Sequence, residues 1–125
     1  MTLRLGDLLA HMQSAAKEAL GFVEGMAKDE FLADRRTQQA VLMSLVVLGE
    51  ASTKIGQLHP HWAEAHPDVP LKSMRGMRNR LAHGYYQIDF DVVWETVHVE
   101  LPPLLVKLTA ALDDQPTTDP PNDPR

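Results

Sequence analysis

The chain has 125 residues, a formal net charge of −5, 44% hydrophobic residues and no cysteine. This length suits one domain with a single core, and the composition excludes a wholly disordered or fibrous protein. Without cysteine, the chain has no disulfides, thiolate metal sites or cysteine nucleophiles. It has no run of about 18 apolar residues and no cleavable leader, so we expect a cytoplasmic protein that does not enter a membrane. The negative charge argues against coating of nucleic acid but allows a local basic site.

Two helices are predicted in the first half of the chain. Apolar residues recur every three or four positions over 5–23, which predicts the first helix. A polar connection follows, in which Asp34 or Thr37 is suited to cap the next helix. This second helix, predicted over 37–55, is apolar almost all the way round, so we expect it to be the central and most buried helix.

The second half is also predicted to be helical. Residues 59–70 contain three prolines, which predicts an irregular connector. A third helix is predicted over 71–83, with Pro70 in its first turn and Gly84 as its C-terminal stop. A fourth helix is predicted to begin at Asp89 and to be bent or divided at Pro102-Pro103.

This pattern predicts an all-α, up-and-down bundle of four to five helices over residues 1–112. A bundle of this size often forms a dimer. The remaining residues, 113–125, are rich in Pro and Asp and are predicted to form a flexible tail.

The third predicted helix is a positive segment in a negative protein. It carries four of the twelve Lys and Arg residues and no acid: Lys72, Arg75, Arg78 and Arg80. Asn79 and His83 are four residues apart, so a helix places them on one face, within reach of Arg75 and Arg78. Arginine offers a planar fork of donors to phosphate and histidine titrates near neutral pH, so this combination suits phosphodiester chemistry. The spacing of these residues is also typical of a basic helix face that is simply exposed to solvent and has no catalytic role.

Two other groups of residues are candidates for a site. Four potential metal ligands lie close together in the chain: His59, His61, Glu64 and His66. Their spacing matches no helical ligand motif and prolines place them in a loop, so we predict no metal site and no cofactor. Glu50 directly follows the apolar run of the second helix, and we predict that it forms a structural ion pair with an arginine of the third helix.

The segment Arg-Asn-Arg-Leu-Ala-His-Gly-Tyr at 78–85 resembles the signature of the HepT-like branch of the HEPN superfamily. In that signature, an Arg is followed after four residues by a His and after one more by a Tyr. The segments 31–41, 48–51, 76–81 and 91–104 also resemble the family in the same order. The resemblance covers about residues 3–112, and the combined pattern is more specific than the spacing alone.

The resemblance implies an all-α homodimer that is a metal-independent endoribonuclease. It also implies a toxin whose antitoxin is a minimal nucleotidyltransferase. On this basis Arg78 and His83 are the catalytic residues, Asn79 is the polar residue that accompanies them, and Tyr85 is the acceptor of AMP from the nucleotidyltransferase. We expect three further residues to contact phosphates of the RNA substrate: Arg75, Arg80 and Lys72.

The mechanism expected from these residues is attack of a ribose 2′-hydroxyl on the adjacent phosphorus, with His83 as general acid or base and Arg78 stabilising the phosphoryl charge. A second function class is open. The chain is alternatively a helical dimer without enzymatic activity that binds and restrains a nucleotidyltransferase.

Overall fold

The structure is a computed structural model that describes residues 3–115, except for the side chains of Ala82, His83 and Tyr85. The described residues are helical almost throughout and contain no β-strand, so the predicted all-α architecture is confirmed. Seven α-helices follow one another in this part of the chain, and three of them have only five or six residues.

The first half contains two long helices and a short one. Helix α1 (Leu5–Phe22) and helix α3 (Arg35–Leu58) extend close to the predicted bounds, and the short helix α2 (Lys28–Leu32) lies between them. The side chain of Asp34 accepts a hydrogen bond from the backbone N–H of Thr37 at 3.1 Å. Of the two predicted caps, Asp34 is therefore the one that begins α3.

Helix α2 occupies the segment that was expected to be only a polar connection. Its Phe31 ring is fully buried, with ring centroids 6.2 Å from Phe90 and 5.4 Å from Trp94. The buried side-chain amide of Gln38 donates to the carbonyls of Phe31 and Leu32, each at 3.0 Å. A helix this short is unstable alone, so these tertiary contacts stabilise it.

A second short helix, α4 (Pro60–Ala65), lies in the segment that was predicted to be irregular, so the prediction was wrong for these residues. Proline is tolerated at the first position of a helix because the N–H that it lacks would have no partner there. The rings of Trp62 and His66 stack with their centroids 4.1 Å apart, which joins the two ends of α4.

Helix α5 (Leu71–His83) has the predicted bounds, and a 3₁₀ turn over Tyr85–Gln87 follows it. Helix α6 (Phe90–Glu95) begins after Asp89, whose carboxylate accepts from the backbone N–H of Asp91 at 2.9 Å. Asp91 also pairs with Lys28 of α2 at 2.9 Å, and this hydrogen bond raises the pKa of the lysine ammonium above its usual value.

The last predicted helix is divided, as expected from its two prolines. A π-helical segment over Thr96–Glu100 separates α6 from helix α7 (Leu101–Asp113). Pro102 and Pro103 have no N–H to donate to the preceding turn, so the hydrogen-bond ladder changes register before them. Of the predicted tail, residues 116–125 lie outside the described part of the chain.

Helix α3 is central: α1 and α5 pack against it, and α7 packs against α1. Its apolar run is not buried on every side, because Met43 is 63% exposed and Val47 is 40% exposed. Within the described residues, α3 is the one helix that is long and apolar enough to cross a membrane. Half of its most apolar 18-residue stretch is buried inside the bundle. The core helix of a helical bundle can have the same length and hydropathy as a membrane-spanning helix.

Candidate active site

The basic helix α5 is anchored in the core and closed at its end. Met74 and Met77 are buried and fix one face of the helix. The backbone N–H of Gly84 donates to the carbonyl of Arg80 at 2.8 Å, which ends the helix. A Cβ at Gly84 would lie only 3.0 Å from the same carbonyl oxygen. Glycine is therefore favoured here because a side chain would be crowded; its φ of −114° is accessible to other residues as well. The charged side chains of α5 therefore extend from a fixed backbone.

Arg78 lies at the edge where α5 meets α3. Its Nη2 is 2.7 Å from Oε1 of Glu50 on α3, and its Nη1 donates to Oδ1 of Asn79 at 3.1 Å. The Arg78 side chain is 32% exposed and that of Glu50 is 46% exposed. Each terminal nitrogen of the guanidinium has one further N–H. The group is thus oriented by two partners while it can still donate to a ligand that approaches from solvent.

The approach of α5 to α3 is close at Gly49. A Cβ at this position would overlap the Cβ of Arg78 and would lie 2.8 Å from the carbonyl oxygen of Met74. Any side chain at Gly49 would therefore push α5 outward and displace Arg78. In the sequence, the signals for this glycine are its place in the family-like segment 48–51 and its position directly before Glu50 at the end of an apolar run.

Asn79 contacts the arginine. Sequence reasoning gives Asn79 the role of orienting His83 or a phosphate, but its side-chain oxygen accepts from Arg78 in the structure. The backbone places His83 as the last residue of α5 and Tyr85 as the first residue of the 3₁₀ turn. The side chains of His83 and Tyr85 lie outside the described part of the structure, so their roles stay predictions. Tyr86, which is not the signature position, is 97% exposed.

The other basic residues of α5 divide between two flanks of the helix. Arg75 lies against α3, where its Nη1 is 3.5 Å from the position of a Cβ on Gly56. Lys72 and Arg80 instead line a groove of about 730 Å³ between α5 and the segment formed by α6 and the π-helical turn. Two residues correspond to about 200° around a helix, which explains why Arg78 and Arg80 lie on different flanks of α5.

The histidines around α4 have structural contacts. The His59 Nε2 lies 3.1 Å from the carbonyl oxygen of Leu3, and the His66 Nδ1 lies 2.9 Å from the carbonyl oxygen of Trp62. Within residues 3–115, apart from the three side chains not described, no group of three or more His, Asp or Glu could hold a metal ion. The contacts of His59 and His66 place them in the packing of α4.

Known proteins similar to this chain are ribonucleases by name. Residues 12–111 match the family model described as Ribonuclease HepT-like. A protein of Thermococcus cleftensis named "Probable ribonuclease HepT" is 34% identical over 98 residues, which are 78% of this chain and 86% of that protein.

Two proteins of Methanocaldococcus jannaschii, both provisionally named RNases, are also similar to this chain. One is 37% identical over 98 residues, which are 78% of this chain and 75% of that protein. The other is 32% identical over 110 residues, which are 88% of this chain and 89% of that protein. No solved structure matches the chain significantly.

Proposed function

The chain belongs to the HepT-like ribonuclease family, and from this we propose that it is an endoribonuclease that cleaves RNA without a metal ion. The observation that carries the proposal is the guanidinium of Arg78, which is held by Glu50 and Asn79 at the exposed edge of a helix without acids. An arginine fixed in this way loses little freedom when it binds a phosphate with its remaining N–H groups.

The reaction is an internal transesterification. The ribose 2′-oxygen forms a bond to the adjacent phosphorus, and the bond from phosphorus to the 5′-oxygen breaks. A base takes the 2′-hydroxyl proton and an acid protonates the leaving 5′-oxygen, which are the roles that we assign to His83. Arg78 stabilises the negative charge on the phosphoryl oxygens and Asn79 holds Arg78 in place. The products are a 2′,3′-cyclic phosphate and a 5′-hydroxyl.

We propose that the active form is a homodimer in which two α5 helices face one cleft, so that acid and base come from different chains. Support comes from the exposed apolar side chains of Met43 and Val47, which lie on α3 within two turns of Glu50. A second copy of the chain would cover them and would bring a second α5 helix close to the first.

We further propose that the chain is the toxin of a cytoplasmic toxin–antitoxin pair with a minimal nucleotidyltransferase. The nucleotidyltransferase would transfer AMP from ATP to Tyr85: the phenolic oxygen bonds to the α-phosphorus and pyrophosphate leaves. The adduct adds a negative charge two residues from His83. Repulsion of the RNA backbone and simple bulk would then silence the nuclease.

The test uses purified protein whose mass shows an unmodified Tyr85, incubated with single-stranded RNA and tRNA in EDTA. We expect cleavage that leaves 2′,3′-cyclic phosphate ends. Replacement of the acid–base group or of the arginine should each lower the rate by about 10²- to 10⁴-fold, in His83→Ala and Arg78→Ala respectively. Lys107→Ala, which removes an exposed cation from α7, is the matched control and should keep the wild-type rate.

Two outcomes would contradict this function. Cleavage that requires an added divalent ion would refute the metal-independent mechanism. No cleavage by unmodified, folded protein would instead favour the alternative in which the chain is a helical dimer that restrains the nucleotidyltransferase. In that case expression of the chain alone would not arrest growth.

A further inference from the structure

The groove beside α5 is a feature that the proposed reaction does not use. Its α5 wall carries Lys72, Ser73, Gly76 and Arg80, and its opposite wall carries Val92, Thr96 and Glu100. The floor is apolar and is formed by buried side chains of the core: Leu45, Met74, Met77 and Val93. Its volume of about 730 Å³ lies in the range of sites for small organic ligands.

The charges of the groove are available to a ligand. In the described part of the chain, neither Lys72 nor Arg80 forms an ion pair. Glu100, on the opposite wall, is exposed and has no hydrogen-bond or ion-pair partner in that part either. The groove thus has an apolar floor and one cationic wall, and its other side carries two carboxylates: that of Asp89, which caps α6, and that of Glu100, which can accept hydrogen bonds from a ligand.

Gly76 lies on the α5 wall of the groove, between Lys72 and Arg80. The nearest atom to a Cβ at this position would be Nη1 of Arg80 at 3.7 Å, so glycine is not required by packing. From Lys72 to Arg80 the helix rises about 12 Å at 1.5 Å per residue. Arg80 marks the end of this wall nearest to Arg78, two residues earlier in the same helix.

We propose that this groove binds the nucleotide next to the scissile phosphate, and that it thereby selects the RNA sequence that is cleaved. The inference rests on the proposed function. Arg80 and Lys72 bind the phosphates, the base lies on the apolar floor against Val92, and Glu100 accepts hydrogen bonds from the Watson–Crick edge of the base. A carboxylate accepts from the amino group that cytosine carries at C4, whereas uracil carries at this position a carbonyl oxygen, which cannot donate and repels the carboxylate.

A nucleotide fits these observations better than a peptide does. A strand of RNA whose scissile phosphate lies at Arg78 can continue across α5 to the flank that carries Arg80, which is two residues further along the helix. A peptide helix would need a continuous apolar face, but polar and charged side chains interrupt the apolar lining of this groove on both walls. We therefore assign the groove to RNA, and the experiments below also detect the case in which the nucleotidyltransferase docks there.

The first experiment measures binding without cleavage. The probe is a fluorescent 2′-O-methyl RNA of about five nucleotides, which lacks the nucleophile and stays intact, and binding is followed by fluorescence anisotropy. Val92 is 59% exposed and Val106, on α7 outside the groove, is 70% exposed. We expect Val92→Glu to weaken binding at least about tenfold, because it replaces the apolar contact of the base by a carboxylate and adds a negative charge to a groove that binds a polyanion. Val106→Glu is the matched control and should change binding less than about twofold.

The second experiment tests the choice of base. Wild-type protein should bind 2′-O-methyl oligocytidine about tenfold more tightly than oligouridine, because Glu100 accepts from the cytosine amino group. Glu100→Gln should reduce this preference, since the glutamine amide can both donate and accept. Glu95→Gln removes an exposed acid that does not line the groove, and it should keep the preference.

The two proposals fail in different ways. If wild-type protein cleaves RNA but Val92→Glu binds the probe as wild type does, the groove inference is wrong and the nuclease stands. If the probe binds in the groove but no RNA is cleaved, the nuclease proposal is wrong. If Val92→Glu weakens binding of the nucleotidyltransferase and leaves RNA binding unchanged, the groove is a protein-docking site and the inference is overturned.

Discussion

At the scale of single residues, the position of Arg78 depends on a glycine that has no chemistry of its own. Gly49 allows the backbones of α3 and α5 to approach closely. Cβ and Cγ of Arg78 occupy the space that a side chain at position 49 would need. Glu50, the next residue, then accepts from the guanidinium at 2.7 Å. The pair Gly49-Glu50 thus sets both the distance between the helices and the direction of the arginine.

We expect Gly49→Ala to destabilise the protein by about 1–3 kcal/mol through overpacking and to lower RNA cleavage by displacing Arg78. Urea unfolding and cleavage rates measured on the folded variant separate the two effects. The matched control is Gly56→Ala in the same helix, where the nearest atom is the flexible Arg75 Nη1 at 3.5 Å. Gly56→Ala should be neutral or stabilising by up to about 1 kcal/mol. Equal stability of the two variants would contradict this account.

At the scale of elements, the start of α3 has a titratable cap. Hydrogen bonds from the hydroxyl and the backbone N–H of Thr37 lower the pKa of the Asp34 carboxyl below its usual value of 3.8. The charged cap therefore stabilises the folded state above the pKa of the unfolded chain. That stability is lost as the pH falls through the lower pKa of the folded state.

We expect Asp34→Ala to lower the melting temperature at about pH 6, and this difference from wild type to shrink as the pH falls below about 4. Thermal unfolding followed by circular dichroism at several pH values measures the effect. Asp34→Asn is the control, because asparagine also caps helices but does not titrate in this range. If the difference in melting temperature between Asp34→Ala and wild type stays constant down to pH 3, the charge of Asp34 is not what stabilises the cap.

The helix boundaries also show where local sequence signals are sufficient to predict a helix and where they are not. The bounds of α5 follow from Pro70, the apolar stripe and Gly84, which all act within the helix itself. Helix α2 does not follow from its own residues, because it depends on contacts of Phe31 with the distant Phe90 and Trp94 and on hydrogen bonds from Gln38 at the start of α3. Helix α4 does not follow from the proline content of 59–70, because proline ends a helix in its interior but is tolerated at its first position, where Pro60 lies.

At the scale of the whole molecule, Phe31 joins elements that are far apart in the chain. Its ring is fully buried and contacts Phe90 and Trp94, so α2 is held to α6 although about 60 residues separate them in the sequence. We expect Phe31→Ala to lower the free energy of unfolding by about 3–5 kcal/mol, a large part of the stability of a small domain.

Urea unfolding of Phe31→Ala measures this loss, and Phe22→Ala is the control because Phe22 is 43% exposed. The control should change the free energy of unfolding by less than about 1 kcal/mol. A loss of similar size in both variants would mean that the Phe31 cluster does not hold the bundle together.

The sequence by itself determined the all-α class, the family, the bounds of α5 and the basic character of that helix. These depend on periodicity, capping and a local motif, which act over a few residues and can be read along the chain. The sequence also predicted that Glu50 pairs with an arginine of this helix, but only the tertiary structure decided that this arginine is Arg78 and that Arg80 lies in a groove on the other flank. These features depend on how closely two helices approach and on how they are rotated, and packing of the whole core sets both.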